Sequence, residues 1–130
     1  MDSATIFQIQ SALILLLMHS GVYVILRKRN SQLHAKLMGT AIIWDVLLVL
    51  QIQLTRGAVG KAMEAPQNSM ILNIHVAMAI TCVFLYLIMG YSGMKILKGD
   101  RSLLKWHKIF GPLTLILRTL VFFTSFFVVS

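Results

Sequence analysis

The sequence is short of the residue patterns on which most enzymes and secreted domains depend. It has one cysteine, Cys82, so no disulfide can form within the chain. Its four acidic residues are outnumbered by twelve basic ones and form no carboxylate dyad. No Cys-x-x-Cys motif, phosphate-binding loop or nucleophile–base pair is present. Hydrolytic and phosphoryl-transfer chemistry therefore has no support in the sequence.

Apolar residues dominate instead. They make up 58% of the 130 residues, and the mean hydropathy is +0.82, whereas soluble domains are about 45–50% apolar. A soluble chain this short cannot bury so much apolar surface. We therefore predict one domain, residues 1–130, embedded in a lipid bilayer. The net charge of +8 is confined to clusters between apolar runs, which argues against nucleic-acid binding.

Four apolar runs are long enough to cross a bilayer, which takes roughly 20 residues. They cover about residues 5–26, 34–54, 70–94 and 107–129. Backbone polar groups in lipid must be paired within their own segment, so we expect helices. The first run lacks the basic start and small-residue cleavage site of a signal peptide, so we expect it to remain as a helix. The predicted fold class is an all-α, integral membrane, up-down-up-down four-helix bundle.

Basic residues predict the orientation of this bundle. The connection from 55 to 69 contains two, whereas nine lie in or beside the other two connections. Loops 27–36 and 95–108 are therefore expected to be cytoplasmic, with both termini outside, and a bacterial inner membrane fits this pattern. The nine residues are Arg27, Lys28, Arg29, Lys36, Lys95, Lys98, Arg101, Lys105 and Lys108.

Two charged residues interrupt the apolar runs. Asp45 follows His34 by eleven residues, and Arg118 follows His107 by eleven. Eleven residues are close to three helical turns, roughly 16 Å, so each charge lies on the same helix face as the histidine before it. The two helices enter the bilayer from the same side, so the two charges also match in depth. We predict that Asp45 and Arg118 pair in the bundle interior, because either charge alone is costly in lipid. The pair could act chemically or only fix the helix register.

The two histidines on the same faces suggest a cofactor. His34 and His107 start the second and fourth predicted helices, which lie diagonally, so a direct contact is not expected. One haem b with an axial imidazole on each side would fill the gap. Gly39 and Gly111 would let a porphyrin approach the backbone, and Lys36, Lys105 and Lys108 could hold its propionates. The alternative is two interfacial histidines in basic loops, with glycines that serve helix packing.

The other polar residues favour no second site of this kind. His19 lies deeper and could be a third metal ligand, a haem neighbour or a hydrogen-bonded core residue. His75 lies near the outer end of its helix without a histidine at matching depth. The polar residues of the outer half could line a quinone pocket or simply lie at the headgroup level; they are Gln8, Gln10, Gln51, Gln53, Asn73 and His75.

Three segments carry resemblances to known families: His34–Gly39, Ile74–Met78 and Trp106–Gly111. The Trp-His-x-x-x-Gly segment resembles the last haem-ligating helix of transmembrane b-type cytochromes of the ascorbate-reducing and ferric-reductase kind. That resemblance implies haem b held by histidines of alternate helices, and only His34 and His107 match its ligand pattern. Residues 15–128 also resemble a family of small four-helix bacterial membrane proteins linked to cytochrome oxidase assembly.

Three functional hypotheses follow from these features. The first is a haem b-binding electron-transfer protein, or a haem-bearing subunit of a respiratory complex, with other membrane subunits as partners. It would be at most an electron-transfer subunit of an oxidoreductase. The second is a haem-free accessory subunit or assembly factor of an oxidase-type membrane complex. The third is a metal-handling membrane chaperone that uses His19 with His34 or His107.

Overall fold

The computed structural model describes residues 3–56 and 70–128, and the side chains of residues 5–54 and 70–127. This part of the chain forms four long α-helices: α1 Ser3–Tyr23, α2 Ser31–Arg56, α3 Met70–Leu97 and α4 Leu104–Val128. A π-helical turn, Val24–Lys28, extends α1. The external connection predicted between the second and third helices lies largely outside the described residues.

The all-α four-helix prediction is confirmed. Each helix contains a segment long and apolar enough to cross a membrane. Only 11–28% of the apolar window of each segment is buried inside the bundle, and side chains such as Leu16 (64% exposed) and Leu87 (66%) face outward. Exposed apolar surface on this scale is typical of a protein that contacts lipid.

The predicted starts of the second and fourth helices are wrong by three residues. Asn30 accepts a hydrogen bond from the Leu33 amide at 3.0 Å through its side chain, so α2 starts at Ser31 rather than at His34. The fourth helix starts at Leu104, three residues before His107. Both histidines therefore lie within the first turns of their helices and do not begin them.

The third helix also runs three residues further than predicted. It ends at Leu97, where Gly99 has a left-handed backbone (φ +96°). The Gly99 amide bonds to the Ile96 carbonyl and the Asp100 amide to the Lys95 carbonyl, which satisfies the last carbonyls of the helix. The first turn between helices uses Arg29 in the same left-handed region (φ 50°).

The helices run antiparallel to their neighbours in two hairpins. α1 packs extensively against α2, and α3 against α4, whereas the two hairpins meet more sparingly through α1–α4 and α2–α3. Thus α1 and α3 are diagonal, as are α2 and α4, as predicted. A small apolar core joins the hairpins; its buried members are Phe7, Ile14, Met18, Ala41, Leu48, Cys82 and Tyr86.

Candidate functional site

His34 and His107 meet at one end of the bundle, although they come from diagonal helices. Their ring centres are 6.5 Å apart and the ring planes are inclined at 80°. Both side chains are half-buried. The expectation that the two residues would not approach each other is therefore wrong, because both imidazoles project inward from the first turns of α2 and α4 and span the diagonal together.

Each imidazole is anchored through its Nδ1 atom to the neighbouring helix of its own hairpin. His34 Nδ1 lies 2.7 Å from the carbonyl oxygen of Gly21 on α1. A carbonyl only accepts, so His34 carries a proton on Nδ1, and the neutral tautomer that fits this contact has its lone pair on Nε2. His107 Nδ1 lies 2.7 Å from Ser92 Oγ on α3. Ser92 is buried, with only 2% of the residue exposed.

The side-chain hydrogen bonds of this histidine pair use Nδ1 alone. Among the described residues, no hydrogen bond joins Nε2 of His34 or of His107 to another protein atom. The two Nε2 atoms are therefore the groups of this pair that a ligand could engage.

Gly21 lies where α1 packs closely against α2. A Cβ at this position would lie 2.6 Å from Sδ and 3.0 Å from Cγ of Met38. Real Cβ atoms do not approach that closely, so a side chain at position 21 would displace the Met38 side chain beside the carbonyl that holds His34. On the other hairpin, a Cβ at Gly93 would lie 3.4 Å from His107 Cε1, in ordinary contact.

The two glycines expected to face a porphyrin have different surroundings. A Cβ added to Gly39 would meet nothing within 4 Å, so α2 faces open space there. A Cβ at Gly111 would lie 3.3 Å from the Met89 methyl group, so α4 packs against α3 at this point. Lys36, Lys105 and Lys108 are exposed on the first turns of α2 and α4.

Asp45 and Arg118 form the predicted buried pair. Arg118 donates from Nε to Asp45 Oδ2 at 2.8 Å and from Nη2 to Asp45 Oδ1 at 3.2 Å, which makes the contact bidentate. The side chain of Arg118 is 3% exposed and that of Asp45 is 6% exposed. The pair links α2 to the diagonal helix α4 and so crosses between the two hairpins.

Two residues that the sequence did not reveal complete this cluster. Tyr86 on α3 donates a short hydrogen bond to Asp45 Oδ2, and Ser11 on α1 accepts one from Arg118 Nη2 at 2.7 Å. Each of the four helices thus contributes one side chain. Arg118 Nη1 is enclosed without a partner, so the positive charge depends on Asp45 and Ser11 alone.

His19 and His75 are separate from the histidine pair. His19 is exposed, and its Nε2 lies 3.5 Å from Thr119 Oγ1. His75 Nδ1 lies 2.7 Å from Thr124 Oγ1 near the other end of the α3/α4 hairpin. Within residues 3–56 and 70–128, no three histidine, cysteine, aspartate or glutamate residues gather as a metal site.

Two of the glutamines predicted for the outer half, Gln10 and Gln51, form a small network with Trp44. Trp44 donates to Gln10 Oε1 at 3.1 Å, and Gln10 donates to Gln51 Oε1 at 3.3 Å. This network joins α1 to α2 within one hairpin. Asn73 and His75 lie on the other hairpin.

Fold and site together define a four-helix protein whose helices are long and apolar enough to cross a membrane, with a histidine pair near one end of the bundle and a buried ion pair between the helices. Comparison with known proteins finds no matching family model, no matching curated protein and no matching solved structure. The functional conclusion therefore rests on the geometry of these residues.

Proposed function

We propose that this protein binds one haem b between His34 and His107 and transfers single electrons, alone or as a subunit of a respiratory complex. One observation carries the proposal. Two imidazoles from opposite hairpins lie with ring centres 6.5 Å apart, and each is hydrogen-bonded through Nδ1, which leaves Nε2 for a ligand. Histidine is a common axial ligand of haem iron, and such centres exchange one electron at a time.

The spacing of the rings fits two axial ligands. An imidazole nitrogen binds a transition metal at about 2 Å, so two imidazoles on one ion have ring centres roughly 6 Å apart. Haem supplies four further nitrogens itself and needs only two residues from the protein, whereas a bare metal ion would need more.

The chain would hold and tune this group through its own residues. His34 and His107 would orient it, and the surrounding apolar side chains would limit access of water. Lys36, Lys105 and Lys108 would attract its two carboxylates at the membrane boundary. The buried Asp45–Arg118 pair would keep the hairpins in register and thereby fix the distance between the two imidazoles.

The same proposal includes location and partners. The excess of basic residues near the histidines supports a cytoplasmic position for that end of the bundle, in a bacterial inner membrane. An electron-transfer protein of this size would exchange electrons with other membrane subunits or with a quinone dissolved in the bilayer.

The test is a visible spectrum of the purified protein, with haem supplied during expression. We expect a Soret band and sharp reduced α and β bands, lost on His34→Ala and on His107→Ala. His19→Ala and His75→Ala are matched controls, because they remove a histidine elsewhere in the bundle and should leave the spectrum unchanged. Equal spectra in all four variants would refute the assignment of the ligands.

The second candidate is a haem-free accessory subunit or assembly factor. It is favoured by the helix surfaces, which bury little apolar area within the bundle and leave much for contact with other membrane helices. A colourless protein that co-purifies with an oxidase-type complex would support it. A purified, monodisperse and coloured protein without partners would count against it.

A further inference from the structure

The α3/α4 hairpin holds two histidines in the same way at its two ends. His107 on α4 contacts Ser92 on α3, and His75 on α3 contacts Thr124 on α4, both through Nδ1 at 2.7 Å. Ser92 follows His75 by 17 residues, and Thr124 follows His107 by 17. Each helix therefore contributes one histidine and one hydroxyl residue, and the two pairs lie roughly 25 Å apart along the antiparallel hairpin.

The hydroxyl group decides the tautomer of each imidazole. A hydroxyl can either donate to Nδ1 or accept from it, and the choice depends on where its own proton goes. The Thr124 hydroxyl donates to the carbonyls of Leu120 and Val121 at 2.9 and 3.1 Å. The Ser92 hydroxyl donates to the Met89 carbonyl at 3.2 Å.

In both pairs the hydroxyl proton thus has a carbonyl acceptor on its own helix, and the oxygen is free to accept from the imidazole. Histidine then carries its proton on Nδ1 and keeps the lone pair on Nε2. If the Ser92 hydroxyl instead donated to Nδ1, Nε2 of His107 would carry a proton and be unable to bind a metal.

We propose that Ser92 is a positioning residue for the candidate iron ligand His107. It fixes the proton on Nδ1, orients the ring and presents the Nε2 lone pair to the cofactor. This inference rests on the proposed function. A ligating imidazole that donates from its other nitrogen is a stronger electron donor, and loss of such a partner weakens metal binding roughly 10- to 100-fold.

Of the two hydrogen-bond partners that hold the imidazoles through Nδ1, Ser92 is the one that a substitution can remove. The acceptor for His34 is the Gly21 carbonyl, a main-chain atom that no substitution removes. The acceptor for His107 is a side chain. Substitution at position 92 should therefore alter the electron donation of one axial ligand while the other stays the same.

The experiment compares Ser92→Ala, Ser92→Thr and Thr124→Val in the full-length protein with two measurements. The first is nitrogen NMR of histidine-labelled protein without haem. Ser92→Ala should abolish the preference of His107 for a proton on Nδ1, Ser92→Thr should preserve it, and Thr124→Val should change only His75. An unchanged His107 tautomer in Ser92→Ala would overturn the proposal.

The second measurement is the midpoint potential and haem affinity of the loaded protein. Ser92→Ala should weaken haem binding about tenfold or more and shift the potential to more positive values, because a weaker donor stabilises ferric iron less. Ser92→Thr should restore both, and Thr124→Val should alter neither. Bound haem with an unshifted potential in Ser92→Ala would also overturn the proposal. A wild-type protein that binds no haem would refute the proposed function, and the NMR spectra would still decide the role of Ser92 in the His107 tautomer.

Discussion

Replacement of Asp45 by leucine should be among the most damaging single changes in this protein. Arg118 is 3% exposed at its side chain and donates three hydrogen bonds, two of them to Asp45. After the change only Ser11 would remain as an acceptor, and the guanidinium would be an uncompensated charge within the bundle. Breaking one partner of a buried pair costs about 3–5 kcal/mol in the free energy of unfolding.

The double change Asp45→Leu with Arg118→Leu should cost less than either single change. It removes both charges together, and apolar replacements of a buried pair are often neutral. Tyr86 would lose its acceptor in the double variant, so some loss of stability should remain. Tyr86→Phe alone removes one hydrogen bond to a charged group, worth about 1.5–3 kcal/mol, and serves as an intermediate reference.

Reversible unfolding in mixed detergent micelles is the assay, followed by circular dichroism and, in a Trp106→Phe background, by fluorescence of Trp44. This tryptophan adjoins Asp45 and bonds to Gln10, so its emission reports on the hairpin interface. The reasoning requires a strong favourable coupling between the two single changes. If their costs simply add, or if all variants melt together, then the pair does not stabilise the bundle as its geometry implies.

Three further perturbations test other parts of the structure. Gly21→Val should lower the free energy of unfolding by about 1–3 kcal/mol through overpacking and weaken haem binding by displacing His34. Met38→Ala should restore part of the stability and part of the haem binding, because it removes the side chain that lies against position 21. If a melting assay shows no rescue by Met38→Ala, the Gly21–Met38 contact is not the cause of the loss. A hydrogen bond from the Ser102 amide is the main cause that lowers the pKa of Asp100. The ionised carboxylate therefore stabilises the α3–α4 turn at pH values above the pKa of Asp100 in the unfolded chain. This stabilisation is lost as the pH falls through the lowered pKa of Asp100 in the folded protein. The protection factor of the Ser102 amide, which compares its hydrogen-exchange rate with the intrinsic rate at the same pH, should therefore fall in acid, and Asp100→Asn should remove that pH dependence. In a Cys82→Ser background, a cysteine at Lys98 should react with an impermeant maleimide only in inside-out vesicles, and a cysteine at Asn73 only in right-side-out ones; the reverse pattern would contradict the proposed orientation.

The sequence was sufficient to predict the number and order of the helices, because run length and hydropathy alone decide which segments can cross a bilayer. The ends of the helices were harder to predict from the sequence. The start of α2 is set by the Asn30 side chain and the end of α3 by the backbone of Gly99, and neither changes the hydropathy of the run. Such local capping moved these two predicted ends by three residues each.

The Asp45–Arg118 contact was predictable because two equal spacings placed both charges at one depth on parallel helices. Tyr86 and Ser11 were not, since their contribution depends on the rotation of α1 and α3 about their axes. The contact between Gly21 and His34 involves a main-chain carbonyl, which leaves no signal in the sequence. Ser92 follows His75 by 17 residues and Thr124 follows His107 by 17. In an antiparallel hairpin these equal spacings could have indicated which hydroxyl group contacts which histidine.

The most direct test of the central proposal is the reduced-minus-oxidised visible spectrum of the purified full-length protein, with pyridine haemochrome analysis of its haem content. We predict one haem b per chain, with sharp α and β bands that disappear in His34→Ala and His107→Ala and persist in His19→Ala. A folded, monodisperse wild-type protein with no haem after expression with excess haem would contradict the proposal and favour the haem-free accessory subunit or assembly factor.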